Sequence, residues 1–145
     1  MIKMEFPTPD FSTRKVGESL QVFDPIRSIW IILQPEEWVR QNLINWFIKT
    51  KHIPSAFIAV EQSLKTDSLS KRCDVLIYDR NHLPWMLAEV KAQGVELNGL
   101  VLTQVLNYHR GIPVKYILIT NGDQCYVADI NQTENHWLDQ FPPFQ

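Results

Sequence analysis

Asp74, Glu89 and Lys91 are the residues whose types and spacing suggest chemistry. Glu89 and Lys91 lie in "LPWMLAEVKA", an apolar run that otherwise has the composition of a buried strand. Because side chains alternate along a strand, Glu89 and Lys91 point to the same face. If "RCDVLIYD" pairs with this run as a hairpin, Asp74 lies near Glu89. The sequence therefore predicts two carboxylates and one ammonium group at one end of a sheet.

A divalent metal ion would relieve the repulsion between these two carboxylates. Neighbouring, partly buried carboxylates disfavour each other's ionised form. Mg²⁺ takes carboxylate and carbonyl oxygens and keeps several waters, so the Val90 carbonyl is a third candidate ligand. Lys91 would then orient a water molecule, lower its pKa or stabilise charge on a phosphate. The expected cofactor is Mg²⁺, and Mn²⁺ is expected to substitute for it.

Two helices and five strands are predicted around these residues. Before the site, "PEEWVRQNLINWFIKT" has apolar residues at helical spacing, and "AFIAVEQSL" predicts a strand that leads into the hairpin. After the site, "KYILIT" and "CYVADI" predict two further strands joined by a tight turn. Between them, "ELNGLVLTQVLNYHR" predicts a second helix. Its expected apolar face contains Leu97, Leu100, Val101, Gln104, Val105 and Tyr108.

The chain is expected to form one α/β domain preceded by an arm. Residues 1–32 are predicted to be an extended N-terminal arm packed on the core, with "SLQVFDP" and "IRSIWIIL" as candidate short strands. Residues 33–145 are predicted to hold a mixed β-sheet flanked by α-helices. The tail "NQTENHWLDQFPPFQ" is predicted to be a loose turn or a short helix.

Composition narrows the class of protein. The 145 residues carry a formal charge of −2, so any basic groove for nucleic acid must be local rather than global. Cys73 and Cys125 lie in apolar runs and are expected to be buried, reduced thiols. We expect a cytoplasmic location and no membrane partner, because the start lacks the apolar segment of a signal peptide and no apolar run reaches transmembrane length.

The site motif and its neighbours resemble a known nuclease superfamily. Asp74 followed by "AEVKA" resembles the core of the PD-(D/E)xK nucleases. The ordered series "PEEWVRQNL", "KRCDVLIYD", "AEVKA", "TQVLNY" and "YILITNG", over about residues 33 to 130, resembles the N-terminal nuclease domain of type I restriction enzyme R subunits. One departure is Cys73, which occupies the position of the superfamily's proline.

The resemblance implies a fold, a reaction and roles for particular residues. It implies a restriction-endonuclease-like core that hydrolyses DNA phosphodiester bonds with Mg²⁺, with RNA left open as a substrate. Asp74, Glu89 and Lys91 would be the catalytic residues, and the two acids would bind the metal. Gln104 and Tyr108 match a Q-xxx-Y motif, and their spacing places both on one helix face.

Further candidates flank these residues. Glu36 is preferred over Glu37 as an additional metal ligand from the first helix. Arg40 is expected to reach Glu36 or a DNA phosphate. Arg72, which with Lys65 and Lys71 flanks a loop beside Asp74, is expected either to contact phosphates or to border an ordinary solvated loop. The chain has no G-xxxx-GK[ST] loop, so it is expected to be either a free-standing relative or a protein that needs a motor or specificity subunit in trans. Homodimerisation stays open.

Structural readings compete with these roles. Glu89 and Lys91 could be a salt bridge on a half-exposed strand, and Glu36 and Glu37 could be helix-start carboxylates. The five tryptophans are more typical of a core than of base stacking. The four histidines show no metal spacing and are expected to be solvated. At the level of function, the alternatives are a catalytically silent nucleic-acid-binding or assembly module and a structural partner protein.

Overall fold

The computed structural model describes residues 1–66, 68–131 and 136–145. Within them the chain forms two helices and two β-sheets, as the mixed α/β prediction requires. The helices are α1 (Pro35–Lys49) and α2 (Gly99–Tyr108). A six-stranded sheet is built from β4 (Ile58–Lys65), β5 (Ser70–Tyr78), β6 (Pro84–Val90), β7 (Tyr116–Thr120), β8 (Cys125–Asp129) and β9 (His136–Trp137).

The six strands lie side by side in chain order, from β4 to β9. Only β6 and β7 are parallel, and α2 makes the crossover that a parallel pair needs. The predicted hairpin between β5 and β6 is confirmed, and its register pairs Val75 with Ala88. This register brings the positions of Asp74 and Glu89 to the same end of neighbouring strands.

The two helices cover opposite faces of this sheet. On one face, the α1 side chains Val39, Leu43 and Phe47 pack with Val75 and Ala88 in one apolar cluster. On the other face, buried side chains of α2 pack in a second cluster with Leu76, Leu87 and Ile117. Because side chains alternate along each strand, Asp74 and Glu89 share the face of Leu76 and Leu87. The site therefore lies on the α2 side.

The α2 residues predicted at helical spacing divide between buried and exposed positions. Leu102 and Val105 are the buried helix residues, whereas Leu100 and Tyr108 are 68% and 51% exposed. The helix begins after Asn98, whose side-chain oxygen accepts the Val101 N–H at 3.0 Å. Tyr108 borders the cleft together with Val101, Gln104 and Val105, whereas Leu100 does not line it.

The N-terminal arm is more structured than predicted. It forms an antiparallel three-stranded sheet, here called the N-terminal meander, of β1 (Thr13–Val16), β2 (Ser19–Asp24) and β3 (Ile29–Ile32). Gly17, with a φ of 61°, allows the tight turn between β1 and β2. Upstream, Ile2 forms a bridge with Cys125, and Met4 and Phe6 pack against the core. The domain boundary at residue 32 stays a prediction.

The end of the chain differs from the prediction in its described part. Residues 132–135 lie outside the described residues, and a two-residue strand, β9, follows them instead of a helix. Phe141 and Phe144 then pack against the core beside Trp85. Cys73 and Cys125 are buried free thiols, as expected. No helix in the described ranges is both long and apolar enough to cross a membrane.

Candidate active site

The ends of β5 and β6 hold the two acids of the predicted site. The Val90 N–H donates to Asp74 Oδ2 at 2.7 Å, so the Asp74 side chain bonds to the backbone of the neighbouring strand. The Lys91 N–H donates to the Thr120 carbonyl at 2.8 Å, which ties the residue after β6 to β7. The backbone at residues 90 and 91 is therefore hydrogen-bonded to β5 on one side and to β7 on the other.

A cleft of about 420 Å³ contains most of the predicted site residues. The strand side supplies four charged residues and α2 supplies two polar and two apolar residues. The lining residues are Arg72, Asp74, Glu89, Lys91, Val101, Gln104, Val105 and Tyr108. Six residues predicted from the sequence thus face one cleft, although their roles remain predictions.

Asp74 is held in an unfavourable environment for its charge. Burial, followed by repulsion from the Glu89 carboxylate, raises the pKa of Asp74 to about 6. The Val90 N–H and the Arg40 guanidinium oppose this rise but do not cancel it. On the other acid, Glu89 Oε1 lies 3.6 Å from Lys91 Nζ. The hydrogen bond and the positive charge next to Asp74 therefore offset its burial and the Glu89 charge only in part.

The donor set fits a hard divalent cation. Among the residues that the structure describes, no three His, Cys, Asp or Glu side chains are placed to share one ion. Mg²⁺ does not need such a group, because proteins bind it through one or two carboxylates plus waters and substrate phosphates. Burial, reinforced by the charges of Asp74 and Glu89, raises the pKa of the Cys73 thiol to about 12. Its Sγ donates to the Gln62 carbonyl at 3.3 Å, and Cys73 is not among the residues that line the cleft.

Glu36 and Glu37 occupy different environments at the start of α1. Glu36 is exposed, and its charge adds to the rise in the pKa of Asp74. It is not gathered with Asp74 and Glu89 into a group of three ligands. Glu37 lies 3.3 Å from an Arg27 nitrogen and 3.4 Å from an Arg40 nitrogen. Glu37 is thus committed to ion pairs, and a metal role for Glu36 stays a proposal.

Arg40, predicted to reach Glu36 or a DNA phosphate or to support the site, lies inside the protein. Arg40 is only 5% exposed. Its guanidinium lies 3.2 Å from Glu61, 3.4 Å from Glu37 and 3.7 Å from Asp74. Arg40 occupies a core-facing position of α1, and its long side chain reaches the acids at the end of the sheet. Helical spacing alone does not predict this reach. Arg40 supports the site from inside.

Arg72 has the exposure that a phosphate contact needs. Its side chain is 65% exposed at the edge of the cleft, and it donates to Glu61 at 2.7 Å. Lys71, the preceding residue, places Nζ 4.2 Å from the centre of the Tyr108 ring. A positive charge over an aromatic face is attractive. Two basic side chains thus stand on the strand side of the cleft opening.

His109 is a residue of the site that the sequence reasoning missed. It was expected to be solvated, but it is fully buried directly after α2. Its Nε2 lies 3.7 Å from Glu89 Oε2, and neither ring nitrogen has a hydrogen-bond partner within the described residues. A lone histidine without ligand spacing carries no sequence signal for such a position. The sequence feature that could have pointed to His109 is its position directly after Tyr108 of the Q-xxx-Y motif.

We expect His109→Leu to melt at the same temperature as wild type or higher. A buried polar group without a partner destabilises a fold by about 1–3 kcal/mol, and an apolar side chain of similar size removes that penalty. Thermal unfolding of both proteins in EDTA measures the difference. A clear loss of stability in the variant would show that the imidazole makes a stabilising hydrogen bond in solution.

Two comparisons with known proteins bear on the family of this chain. A search of curated proteins finds no match. A family model described as the type I restriction enzyme R protein N terminus matches residues 35–142. The match begins at the first residue of α1 and includes the cleft residues of β5, β6 and α2. On this match, the chain belongs to the family of type I restriction enzyme R protein N-terminal domains.

Proposed function

We propose that this protein hydrolyses phosphodiester bonds in DNA with Mg²⁺ as cofactor. The observation that carries the proposal is the convergence of Asp74, Glu89 and Lys91 in one cleft of a chain from a restriction-enzyme family. Two carboxylates beside a buried apolar sheet are unfavourable unless a cation offsets them. A cofactor and a phosphate together would complete the charge balance of the cleft.

The chain's own residues divide the work between holding the cofactor and handling the substrate. Asp74 and Glu89 would hold Mg²⁺, with the Val90 carbonyl as a further ligand. Bound there, the ion would polarise a phosphoryl oxygen and lower the pKa of a water molecule. Lys91 Nζ, 3.6 Å from Glu89, would stabilise the negative charge that grows on the phosphate during attack.

Local rather than global charge would bring DNA to the cleft. The chain has a formal charge of −2, so attraction to phosphates must come from the basic residues at the cleft opening. Arg72 and Lys71 would contact the backbone there, because phosphate contacts position a nucleic acid without reading its sequence. We propose DNA as the substrate and a motor or specificity subunit acting in trans as the partner.

The second candidate function is a nucleic-acid-binding module without turnover. It is favoured by the ion pairs that engage Glu89 and Asp74 within the protein and by the lack of a third acid ligand in the described part of the site. Supercoiled plasmid separates the two. We expect nicking in Mg²⁺ or Mn²⁺ and none in EDTA. Binding without nicking under any of these conditions would favour the silent module.

Gln104→Ala and Tyr108→Ala are expected to weaken cleavage or DNA binding with little change in stability. Both side chains are exposed and line the cleft from one face of α2. Substitutions at such surface positions usually change stability by less than about 0.5 kcal/mol. Nicking rates and melting temperatures of the two variants, compared with exposed Thr103→Ala on the same helix, measure both effects. If a variant unfolds while its activity per folded molecule stays normal, that residue is structural.

A further inference from the structure

A chain of ion pairs connects the N-terminal meander to Asp74. It starts at Asp24, a fully buried carboxylate at the end of β2. The Ile26 and Arg27 N–H groups donate to Asp24 Oδ1 at 2.7 and 3.0 Å, and Arg27 Nε donates to Oδ2 at 2.7 Å. Three bonds to one buried carboxylate fix the Arg27 backbone and side chain together. Arg27 is therefore presented in a defined direction from the meander.

Arg27 and Arg40 share the same two carboxylates. Arg27 lies 3.3 Å from Glu37 Oε1 and 3.6 Å from Glu61 Oε2. Arg40 Nη1 lies 3.4 Å from Glu37 Oε1 and 3.2 Å from Glu61 Oε1. Each carboxylate thus contacts both guanidinium groups. These contacts hold Arg40 between Glu37 and Glu61.

Glu61 has a strained backbone conformation, which its side-chain contacts help to maintain. Its φ is 53°, in the left-handed region that residues other than glycine seldom adopt. The strand pairing of β4 with β5 includes Val60 and Gln62 but skips Glu61, directly opposite Asp74. Such strain persists where surrounding interactions determine it. Here those interactions are the ion pairs with Arg27, Arg40 and Arg72.

The far end of Arg40 reaches the candidate active site. Arg40 Nη2 lies 3.7 Å from Asp74 Oδ1, while the Val90 N–H donates to Asp74 Oδ2. The two oxygens of Asp74 are therefore held from two different directions. Arg40 is only 5% exposed, so water does not screen this contact as it does a surface pair.

We propose that Arg40 is a positioning residue for Asp74 and that Arg27, supplied by the N-terminal meander, keeps Arg40 in place. Arg27 lies outside the matched residues 35–142, so the site depends on a segment that the family match does not include. The orientation of Asp74 follows from the contacts alone. Its consequence for DNA cleavage rests on the proposed function.

Hydrogen exchange of two neighbouring amides tests the positioning directly. The Val90 N–H is bonded to Asp74, whereas the Lys91 N–H is bonded to the Thr120 carbonyl. If Arg40→Met frees the Asp74 carboxylate, Val90 should exchange about tenfold faster while Lys91 keeps its rate. Removing a positive charge by itself slows base-catalysed exchange. An increase at Val90 therefore cannot be an effect of charge alone.

Three further variants sharpen the test. Arg27→Met should accelerate Val90 exchange by a smaller factor, and Arg40→Lys should fall between wild type and Arg40→Met because an ammonium cannot reproduce the guanidinium fork. Arg14→Met is the matched control for exchange, since it removes an exposed guanidinium of the same meander whose hydrogen bond goes to Gln21 and not to this chain of ion pairs. It should leave both amides unchanged. If Arg40→Met does not fold, Arg27→Met and Arg40→Lys still carry the comparison.

Two outcomes would overturn the proposal. Equal acceleration of Val90 and Lys91 would show that Arg40 stabilises the fold without orienting Asp74. Unchanged exchange at Val90 would show that the backbone alone holds the carboxylate. Neither outcome depends on nuclease activity. In a protein that cleaves DNA, Arg40→Met should lower kcat at unchanged KM, whereas a direct phosphate contact would raise KM.

Discussion

Lys91→Ala is expected to slow divalent-ion-dependent nicking by about 10²–10³-fold, the loss typical when one charge-stabilising donor is removed from an active site. Lys91 lines the cleft and is one-third exposed, with Nζ 3.6 Å from Glu89. A partly exposed ion pair contributes little to stability, so the variant should keep its melting temperature. The measurement is the rate of plasmid nicking at saturating Mg²⁺, with melting curves beside it.

Lys15→Ala is the matched control for this variant. Lys15 is an exposed residue of β1 that does not line the cleft, and its removal changes the net charge by the same amount. We expect Lys15→Ala to nick at the wild-type rate. Equal activity in wild type and Lys91→Ala would mean that Lys91 is only a salt-bridge partner of Glu89. It would also remove the chemical argument for this cleft.

Asp74→Asn is expected to stabilise the metal-free protein above pH 7. The folded pKa of Asp74 is about 6, raised from 3.8, so the folded state binds the proton more tightly than the unfolded state does. Wild-type stability should therefore fall as pH rises from about 4 to above 6, by up to about 3 kcal/mol from this group. Asparagine is uncharged and can still accept the Val90 N–H. It escapes that loss, so the two proteins should differ at pH 8 and converge near pH 4.

Although Asp74→Asn should be more stable than wild type without metal, it should gain much less stability when metal is added. A ligand that binds only the folded state stabilises it by about 2.7 kcal/mol at a hundredfold excess over Kd. Wild type should show such a rise in millimolar Mg²⁺ or Mn²⁺, and Asp74→Asn should lose most of it. Melting curves at pH 8, with and without metal, measure both effects. If the variant melts well below wild type in EDTA and responds equally to metal, Asp74 is a structural hydrogen-bonding residue.

The sequence predicted the main sheet and the pairing of the two acids because both follow from short-range patterns. The α1 stripe of Val39, Leu43 and Phe47 has helical spacing, and the hairpin between β5 and β6 needs only its turn to set the register. The Val75–Ala88 pair then places Asp74 and Glu89 at one end of the sheet. These steps do not depend on contacts between distant parts of the chain.

The errors concern residues whose environment depends on distant contacts. Leu100 has the helical spacing of a buried apolar residue, yet it is 68% exposed, which only the tertiary structure decides. His109 and Arg40 are buried because other segments cover them. In the N-terminal meander, β2 and β3 were predicted as candidate strands. The strand β1 was not predicted, because all four of its residues are exposed and give no alternating pattern of buried apolar positions. The spacing of apolar residues predicts which face of an element is buried. It does not predict networks of charged residues or strands that are exposed on both faces.

The most direct test of the central claim is a metal-jump experiment on preformed complexes. The protein is bound to plasmid in Ca²⁺, which is expected to support binding only, and binding is verified by gel shift before Mg²⁺ is added in excess. We predict no nicking before the addition, rapid nicking by wild type after it, and almost none by Lys91→Ala. Nicking that proceeds in EDTA, equal nicking by both proteins, or bound plasmid that stays intact in Mg²⁺ and Mn²⁺ would contradict the assignment of this cleft as a DNA-hydrolysing site.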